Sequence, residues 1–277
     1  NLSMDTIKLF ASDLDGTFVT DKKTFDTKYF KNTIEQLAAN QQFFVASSGR
    51  SYNGIAMIFK SYIKKYNISL VSQNGASVFA DGRNIFRSDI DPDILEKIYA
   101  AIPELSVKPD RIIFEGDDTT YAPDYQKQAN LDKISFYNPK MRTIHRFSEI
   151  NEPIEKIAIF WHDSDQKLMA EELIAKIKVQ GVRATSSGYG SIDIINRGIS
   201  KAIGLQKLGS YLGLHHDQMA AFGDGENDLE MLYYVAHPYV MPNAPDFIKK
   251  EFACDQIALA DNNHDGVLKT INQIIAK

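Results

Sequence analysis

Short apolar runs alternating with amphipathic segments occupy both ends of this chain and give way to a different pattern in its middle. The run Ile7 to Leu14, IKLFASDL, is followed by a polar turn and then by Phe30, Ile34, Leu37 and Ala38, whose spacing places them on one helical face. A strand and then a helix are expected. Phe43 to Ser47 reads as a buried strand, Tyr52 to Tyr66 as a helix, and Ser69 to Ser72 as another short strand. Such alternation implies βαβ units around a parallel sheet, and ligands of such sheets bind beyond the carboxyl ends of the strands. The residues that end each apolar run are therefore the first candidates for chemistry.

After Asn74-Gly75 the rhythm is lost. Ser77 to Phe79 and Asn84 to Phe86 flank Asp81-Gly82, a turn sequence favoured in β-hairpins, and a different domain is expected to begin there. Asp91-Pro92 opens a helix to about Ile102, Arg111 to Glu115 and Lys156 to Trp161 read as strands, and Met169, Leu173 and Ile177 mark a helix ending at Gly181. From about Ser191 the first pattern returns, as strand Ile192 to Ile195, helix Lys201 to Leu212, strand Met219 to Phe222, helix Leu229 to Val235, strand Tyr239-Val240 and a last helix after Asp265-Gly266. The expected architecture is an α/β, Rossmann-like parallel-sheet core split between residues 4–82 and 190–277, with an α+β module inserted at 83–189. Each part is of ordinary domain size.

Charge and cysteine content narrow the function classes. Thirty-one Lys plus Arg against 36 Asp plus Glu leave a net charge of −5, so no overall basic surface draws nucleic acid or an anionic membrane. No stretch approaches the roughly 18 consecutive apolar residues of a membrane helix. The one cysteine, Cys254, can form no internal disulfide, rules out clusters of several thiolates, and reads as a small buried side chain. A reducing compartment, the cytoplasm, is the expected location. Asn1-Leu2-Ser3 before Met4 has neither a basic nor an apolar leader region and reads as a leftover of recombinant production rather than a signal peptide.

Four stretches at expected strand ends or helix starts carry reactive groups. Asp13-Leu14-Asp15-Gly16-Thr17 sets two carboxylates at i and i+2, although Asp-Gly is also an ordinary turn. Ser48-Gly49-Arg50 offers a hydroxyl and a glycine amide suited to phosphate oxygens. Lys201 opens a helix after Gly198-Ile199-Ser200, where a lysine taken alone is usually solvated, being mildly unfavourable to the dipole. Gly223-Asp224-Gly225-Glu226-Asn227-Asp228 gathers Asp224, Asn227 and Asp228 around a tight turn, as metal-binding loops and some capped turns do.

Together these stretches resemble the haloacid dehalogenase (HAD) superfamily, whose four dispersed motifs are matched in order by DLDGT at 13–17, Ser48 before Gly49-Arg50, Lys201, and GDGEND at 223–228. Asn74-Gly75-Ala76, GISK, Met241-Pro242-Asn243-Ala244 and Asp265-Gly266-Val267 are similar to the Cof-type subfamily, whose C2-type cap lies between the second and third motifs. Ser48 stands where threonine is usual, Phe18 where leucine is, and Pro242 where glycine is common; no reacting group is lost. The resemblance implies phosphoester hydrolysis through an aspartyl-phosphate, with Asp13 as nucleophile and Asp15 as acid and then base. It implies Mg²⁺ held by the Asp13 carboxylate, the Asp15 backbone carbonyl and the Asp224 carboxylate, with Asp228 in support. Lys201, Ser48, Asn227 and the N–H groups of Leu14 and Gly49 would hold the transferring oxygens.

The expected partner is a small phosphorylated metabolite, a sugar phosphate or similar organic monophosphate, over which the cap closes; the pattern carries no signal for oligomeric state. A phosphomutase keeps Asp15 too, and a phosphometabolite-binding regulator needs no acid–base carboxylate. The remaining features read as structural. His215-His216 near a helix end lacks a third metal ligand, Trp161, His162 and His145 read as packing, and Glu115 to Asp118 reads as a solvated acidic loop. Gly188-Tyr189-Gly190 lacks the dinucleotide fingerprint and reads as a hinge back to the core.

Overall fold

The first apolar run forms β1 (Leu9–Ser12), every residue of which is buried, as expected of a central parallel strand covered on both faces. Residues 7–188 and 190–277 are described in this computed structural model; the readings on Asn1-Leu2-Ser3 and on Tyr189 lie outside the described residues. Further along the chain come β2 (Phe43–Ser47), β3 (Ser69–Ser72), β4 (Ser77–Ala80), β5 (Arg83–Arg87), β6 (Arg111–Gly116), β7 (Thr120–Pro123), β8 (Met141–Ile144), β9 (Ile154–Phe160), β10 (Val182–Ser186), β11 (Ile192–Asn196), β12 (Met219–Gly223) and β13 (His237–Val240). They form two sheets, ordered β13-β12-β1-β2-β3-β4-β5 and β10-β11-β9-β6-β7-β8.

In the first sheet, β1 runs parallel to both β2 and β12, with Ser12 level with Ala46 and Phe222. The segments that follow these three strands, beginning at Asp13, Ser48 and Asp224, therefore leave the same edge of the sheet. Alternation along the strands sends side chains to two cores. Phe10, Phe44 and Phe222 face the helices Thr27–Ala39, Tyr52–Phe59 and Gly266–Ile275 through Phe30, Ile34, Phe59 and Ile271. Leu9, Ala11, Val45 and Ala221 face the helices Lys201–Leu212 and Leu229–Tyr234 through Leu205, Leu208 and Met231. Asp26 caps the helix Thr27–Ala39 by accepting from the Tyr29 N–H. The helix expected over Tyr52 to Tyr66 is two helices, Tyr52–Phe59 and Tyr62–Lys65, because Lys60 takes φ +49° and breaks the ladder between them.

The chain divides into two compact units, one made of the segments up to Phe86 and from Ser200 onward, the other of Arg87–Ile199. These boundaries differ from the expected 82/83 and 189/190 at both crossings. The hairpin around Asp81-Gly82, expected to open the inserted module, extends the first sheet, its turn residues both at positive φ (+52° and +71°) as a type I′ turn demands. Strand β11, expected in the first sheet, pairs antiparallel with β9 and β10 in the second. The run Ile192-Asp193-Ile194-Ile195 is equally suited to either sheet, and its partners are chosen by tertiary packing.

In the second unit, Ile112, Phe114, Ile157, Ile159 and Ile194 of the sheet pack with Leu95, Ile98, Leu173 and Ile177 of the helices Pro92–Ala101 and Gln166–Ile177. Four elements of this unit lie outside the sequence expectations: β7, the helix Gln128–Tyr137, β8 and β10. The helix buries only Leu131 and Ile134, and β8 and β10 are half-exposed edge strands, so these three carry no full apolar period, while β7 is buried but only four residues long. Glu115, expected where a strand gives way to a solvated loop, lies within β6 as a buried residue whose Oε1 accepts from the Thr120 hydroxyl at 2.6 Å. Cys254, expected to be buried, is exposed, because its segment is a short 3₁₀ turn outside both cores.

Candidate active site

Asp13 follows β1, Asp224 follows β12, and Lys201 is the first residue of the helix whose N-cap, Ser200, accepts from the Ile203 N–H. Lys201 is fully buried, and its Nζ donates to Asp13 Oδ1 at 2.8 Å and to Asp228 Oδ1 at 2.6 Å. Burial disfavours its charge, but the two carboxylates outweigh burial and hold its pKa above the usual lysine value. The other oxygen of Asp228 accepts the N–H groups of Asp224 and Gly225 at 2.9 and 3.0 Å, so Asp228 braces both the lysine and the loop. Thr17 Oγ1 lies 3.1 Å from Asp13 Oδ2 and 3.0 Å from Asp224 Oδ1 and its one proton serves either carboxylate.

Asp13, Asp224 and Asp228 each present an oxygen within 4.8 Å of the others, a buried acidic cluster that can hold a metal ion. Burial, then the charge of Asp228, pushes the Asp13 carboxyl well above the usual range against the pull of Lys201. Burial and Asp228 likewise push Asp224 up to about 6. The cluster holds more negative charge than one lysine offsets, and its donors are all oxygen, which fits a hard divalent cation.

Gly16 permits this assembly. It sits at φ +78°, and a Cβ there would lie 2.2 Å from Asp224 Oδ2. Its carbonyl accepts from Asn243 Nδ2 at 2.8 Å, and Asn262 Nδ2 donates to the Val19 carbonyl at 3.0 Å, so two distant loops clamp the segment after Asp13. These contacts account for the Met241-Pro242-Asn243-Ala244 stretch and for the loop before Asp265.

The other expected residues are placed as follows. Leu14 is buried, and its carbonyl accepts the N–H groups of Thr17 and Val19. Ser48 and Gly49 are buried beyond β2, and Ser48 Oγ accepts from the Arg50 N–H at 3.0 Å. Asn227 is buried and donates to Asn74 Oδ1 at 3.0 Å. Asn74 belongs to a turn, Gln73-Asn74-Gly75, with three consecutive positive φ values of +51°, +56° and +98°. A Cβ on Gly75 would stand 1.9 Å from the Ser200 carbonyl, so glycine there lets the turn approach the helix that carries Lys201. Asp15 points elsewhere: its carboxylate is bound by Arg50 Nε at 2.7 Å, Arg50 Nη2 at 2.8 Å and Lys23 Nζ at 2.8 Å. Burial would raise its pKa, but these cations hold it below the usual carboxylate range. Arg50, Lys23, Thr17, Asn74 and Asn243 were not among the expected site residues. Arg50 adjoins an expected motif, yet nothing in the sequence indicates a partner 35 positions earlier.

Parallel strands whose ends bring an aspartate, a buried lysine and an acidic loop together make a site able to hold a divalent cation. The chain belongs to the haloacid dehalogenase-like hydrolases, the family whose sequence model matches residues 10–271. It is 28% identical over 275 residues to 5-amino-6-(5-phospho-D-ribitylamino)uracil phosphatase YbjI of Escherichia coli, covering 98% of this chain and 97% of that one. The phosphatase of the same name, YitU, of Bacillus subtilis is 26% identical over 272 residues, covering 96% of each. Among solved structures, SMU.1108c from Streptococcus mutans superposes with a TM-score of 0.85 at 27% identity over 98% of this chain and 100% of that one. The HAD subclass IIB sugar phosphatase BT4131 shares the fold, with a TM-score of 0.81 at 20% identity over 98% and 100%. Among the described residues no helix is long and apolar enough to cross a membrane.

Proposed function

We propose that this hydrolase is a Mg²⁺-dependent cytoplasmic phosphatase that cleaves small phosphorylated metabolites, sugar phosphates or similar organic monophosphates, through an aspartyl-phosphate. The observation that carries the reading is the buried Lys201 bridging Asp13 and Asp228 beside Asp224. As a carboxylate Asp13 needs no base to activate it: Lys201 on one oxygen and Thr17 by the other support its charge, and a bound cation would offset the burial and the Asp228 charge that raise its pKa. Asp13 attacks phosphorus, and Asp15 gives its proton to the departing alcohol oxygen and later takes one from water. Lys201 sits where negative charge on the transferring group would build up, with Ser48, Asn227 and the N–H groups of Leu14 and Gly49 as further donors. Mg²⁺, when bound by Asp13, Asp224 and the Asp15 carbonyl with Asp228 in support, supplies charge neutralisation for the phosphate.

The unit Arg87–Ile199 is assigned the recognition of the leaving group, since the candidate site residues all belong to the other unit. The ribityl phosphate named for the two curated relatives is an organic monophosphate of the proposed kind. The test is release of phosphate from p-nitrophenyl phosphate with and without Mg²⁺. Asp13→Asn is expected to lower turnover by on the order of 10³-fold or more, as loss of the nucleophile demands. Activity retained in that variant, or unaffected by chelation, would overturn the reading.

A further inference from the structure

The Asp15 carboxylate is held more firmly than a freely moving acid–base group would be. Arg50 grips it through two parallel bonds, Nε to Oδ2 at 2.7 Å and Nη2 to Oδ1 at 2.8 Å. Arg50 is itself fixed: its side chain is 12% exposed, its N–H donates to Ser48 Oγ, and its carbonyl accepts the Gln73 N–H at 2.9 Å. A planar guanidinium anchored in this way sets both the position and the plane of the carboxylate it grips. Lys23 adds a third bond to Oδ1 at 2.8 Å, but from a half-exposed side chain in the turn that follows. A carboxylate has about four lone-pair positions. Among the described residues these bonds take three, and the one left is on Oδ2.

That arrangement suits one half of the proposed reaction better than the other. In the first half Asp15 starts as the protonated acid, which has to give up part of this three-bond grip, whereas in the second half it starts as the acceptor-only carboxylate that Arg50 and Lys23 hold. In the second half a water oxygen bonds to phosphorus and the bond from phosphorus to the Asp13 oxygen breaks. The electron pair returns to Asp13 as carboxylate, and one water proton passes to Asp15, leaving inorganic phosphate as HPO₄²⁻. The free position on Oδ2 is where that proton is received. We propose that Arg50 is the positioning residue that orients Asp15 as the base for hydrolysis of the aspartyl-phosphate, with Lys23 as a weaker auxiliary. The inference rests on the function proposed above.

Stopped-flow release of p-nitrophenol from p-nitrophenyl phosphate separates the halves, because this leaving group needs little protonation. In Arg50→Met, whose fold is checked by its thermal transition, a burst approaching one equivalent per site is expected. The following steady rate should be lowered at least about ten-fold, the scale of two lost charge-assisted bonds. Acid-quenched protein should carry phosphate on Asp13. Added guanidinium should restore the steady rate in Arg50→Ala, which a loss of folding would not allow. Lys23→Ala should cost about two- to five-fold, as for an exposed pair. The control is Asp15→Asn. If it accumulates phosphoenzyme and Arg50→Met does not, the positioning role is overturned while the functions of Asp13 and Asp15 stand. If the wild-type protein releases no p-nitrophenol and Asp15→Asn carries no phosphate, the proposed function fails and this role with it.

Discussion

Both sheets bury charge, and they do so in different places. In the first unit the buried charges lie beyond the strand ends: Asp13, Asp15, Asp228 and Lys201, while β1 and β12 carry no charged side chain. In the second unit they lie within the strands, Glu115 on β6, Glu155 and Lys156 on β9 and Asp193 on β11, all at most 2% exposed. Lys201 has two carboxylates at 2.8 and 2.6 Å, whereas Lys156 has Asp193 at 3.6 Å. Charges at strand ends can be gathered from distant segments without interrupting a ladder. Charges within a strand replace apolar packing on one face, and must be offset by neighbours across the same sheet.

The contrast is most strongly tested at the two lysines. Lys201→Met should lower turnover of p-nitrophenyl phosphate by about 10²-fold or more, since a charge aimed at the transferring oxygens is removed. Lys156→Met should instead act on stability, lowering it by about 3–5 kcal/mol in urea unfolding because the buried Asp193 carboxylate loses a cation. Turnover per folded molecule of that variant is expected to stay within about ten-fold of wild type; a greater loss would place Lys156 in the chemistry and dissolve the distinction. A smaller effect is expected at Gly16→Ala, where a positive φ and a Cβ 2.2 Å from Asp224 Oδ2 combine. Strain on the scale of about 1–3 kcal/mol should appear as a lower melting temperature and a reduced stabilisation by added Mg²⁺.

Burial, then the neighbouring Asp117, raises Glu155 from the usual 4.5 to about 9. A carboxyl whose folded value is raised keeps its proton on folding, so its contribution to stability is complete below about pH 4.5 and lost as pH climbs toward 9. The unit Arg87–Ile199 should therefore weaken across that window, by up to about 1.4 kcal/mol per pH unit, and Glu155→Gln should flatten the dependence. Unchanged pH dependence of unfolding in Glu155→Gln would show that this carboxyl ionises freely.

The same contrast explains what could be read in advance. In the first unit β1, β2 and β12 are apolar up to their last residue, so the reactive groups stood out just beyond: Asp13 after Ser12, Ser48 after Ser47, Asp224 after Gly223. In the second unit Lys156 and Asp193 lie inside runs that read as ordinary strands, and Glu115 read as the start of a loop, so their burial had no local signal. Helix Gln128–Tyr137, with two buried residues, carried no stripe to detect. The resemblance to a known family compensated in the first unit, where its site residues lie, and offered no site residue of the second.

The sequence alone determined which segments become strands and helices near the termini, and which reactive groups end the apolar runs, because period and punctuation are local properties of the chain. Tertiary structure decided the partners. It alone joined Arg50 to Asp15, Thr17 to both Asp13 and Asp224, and Asn243 to the Gly16 carbonyl, and it alone drew β11 into the second sheet. Each of those pairings depends on strand order and register, which bring together residues up to 227 positions apart and leave no trace in the neighbouring sequence.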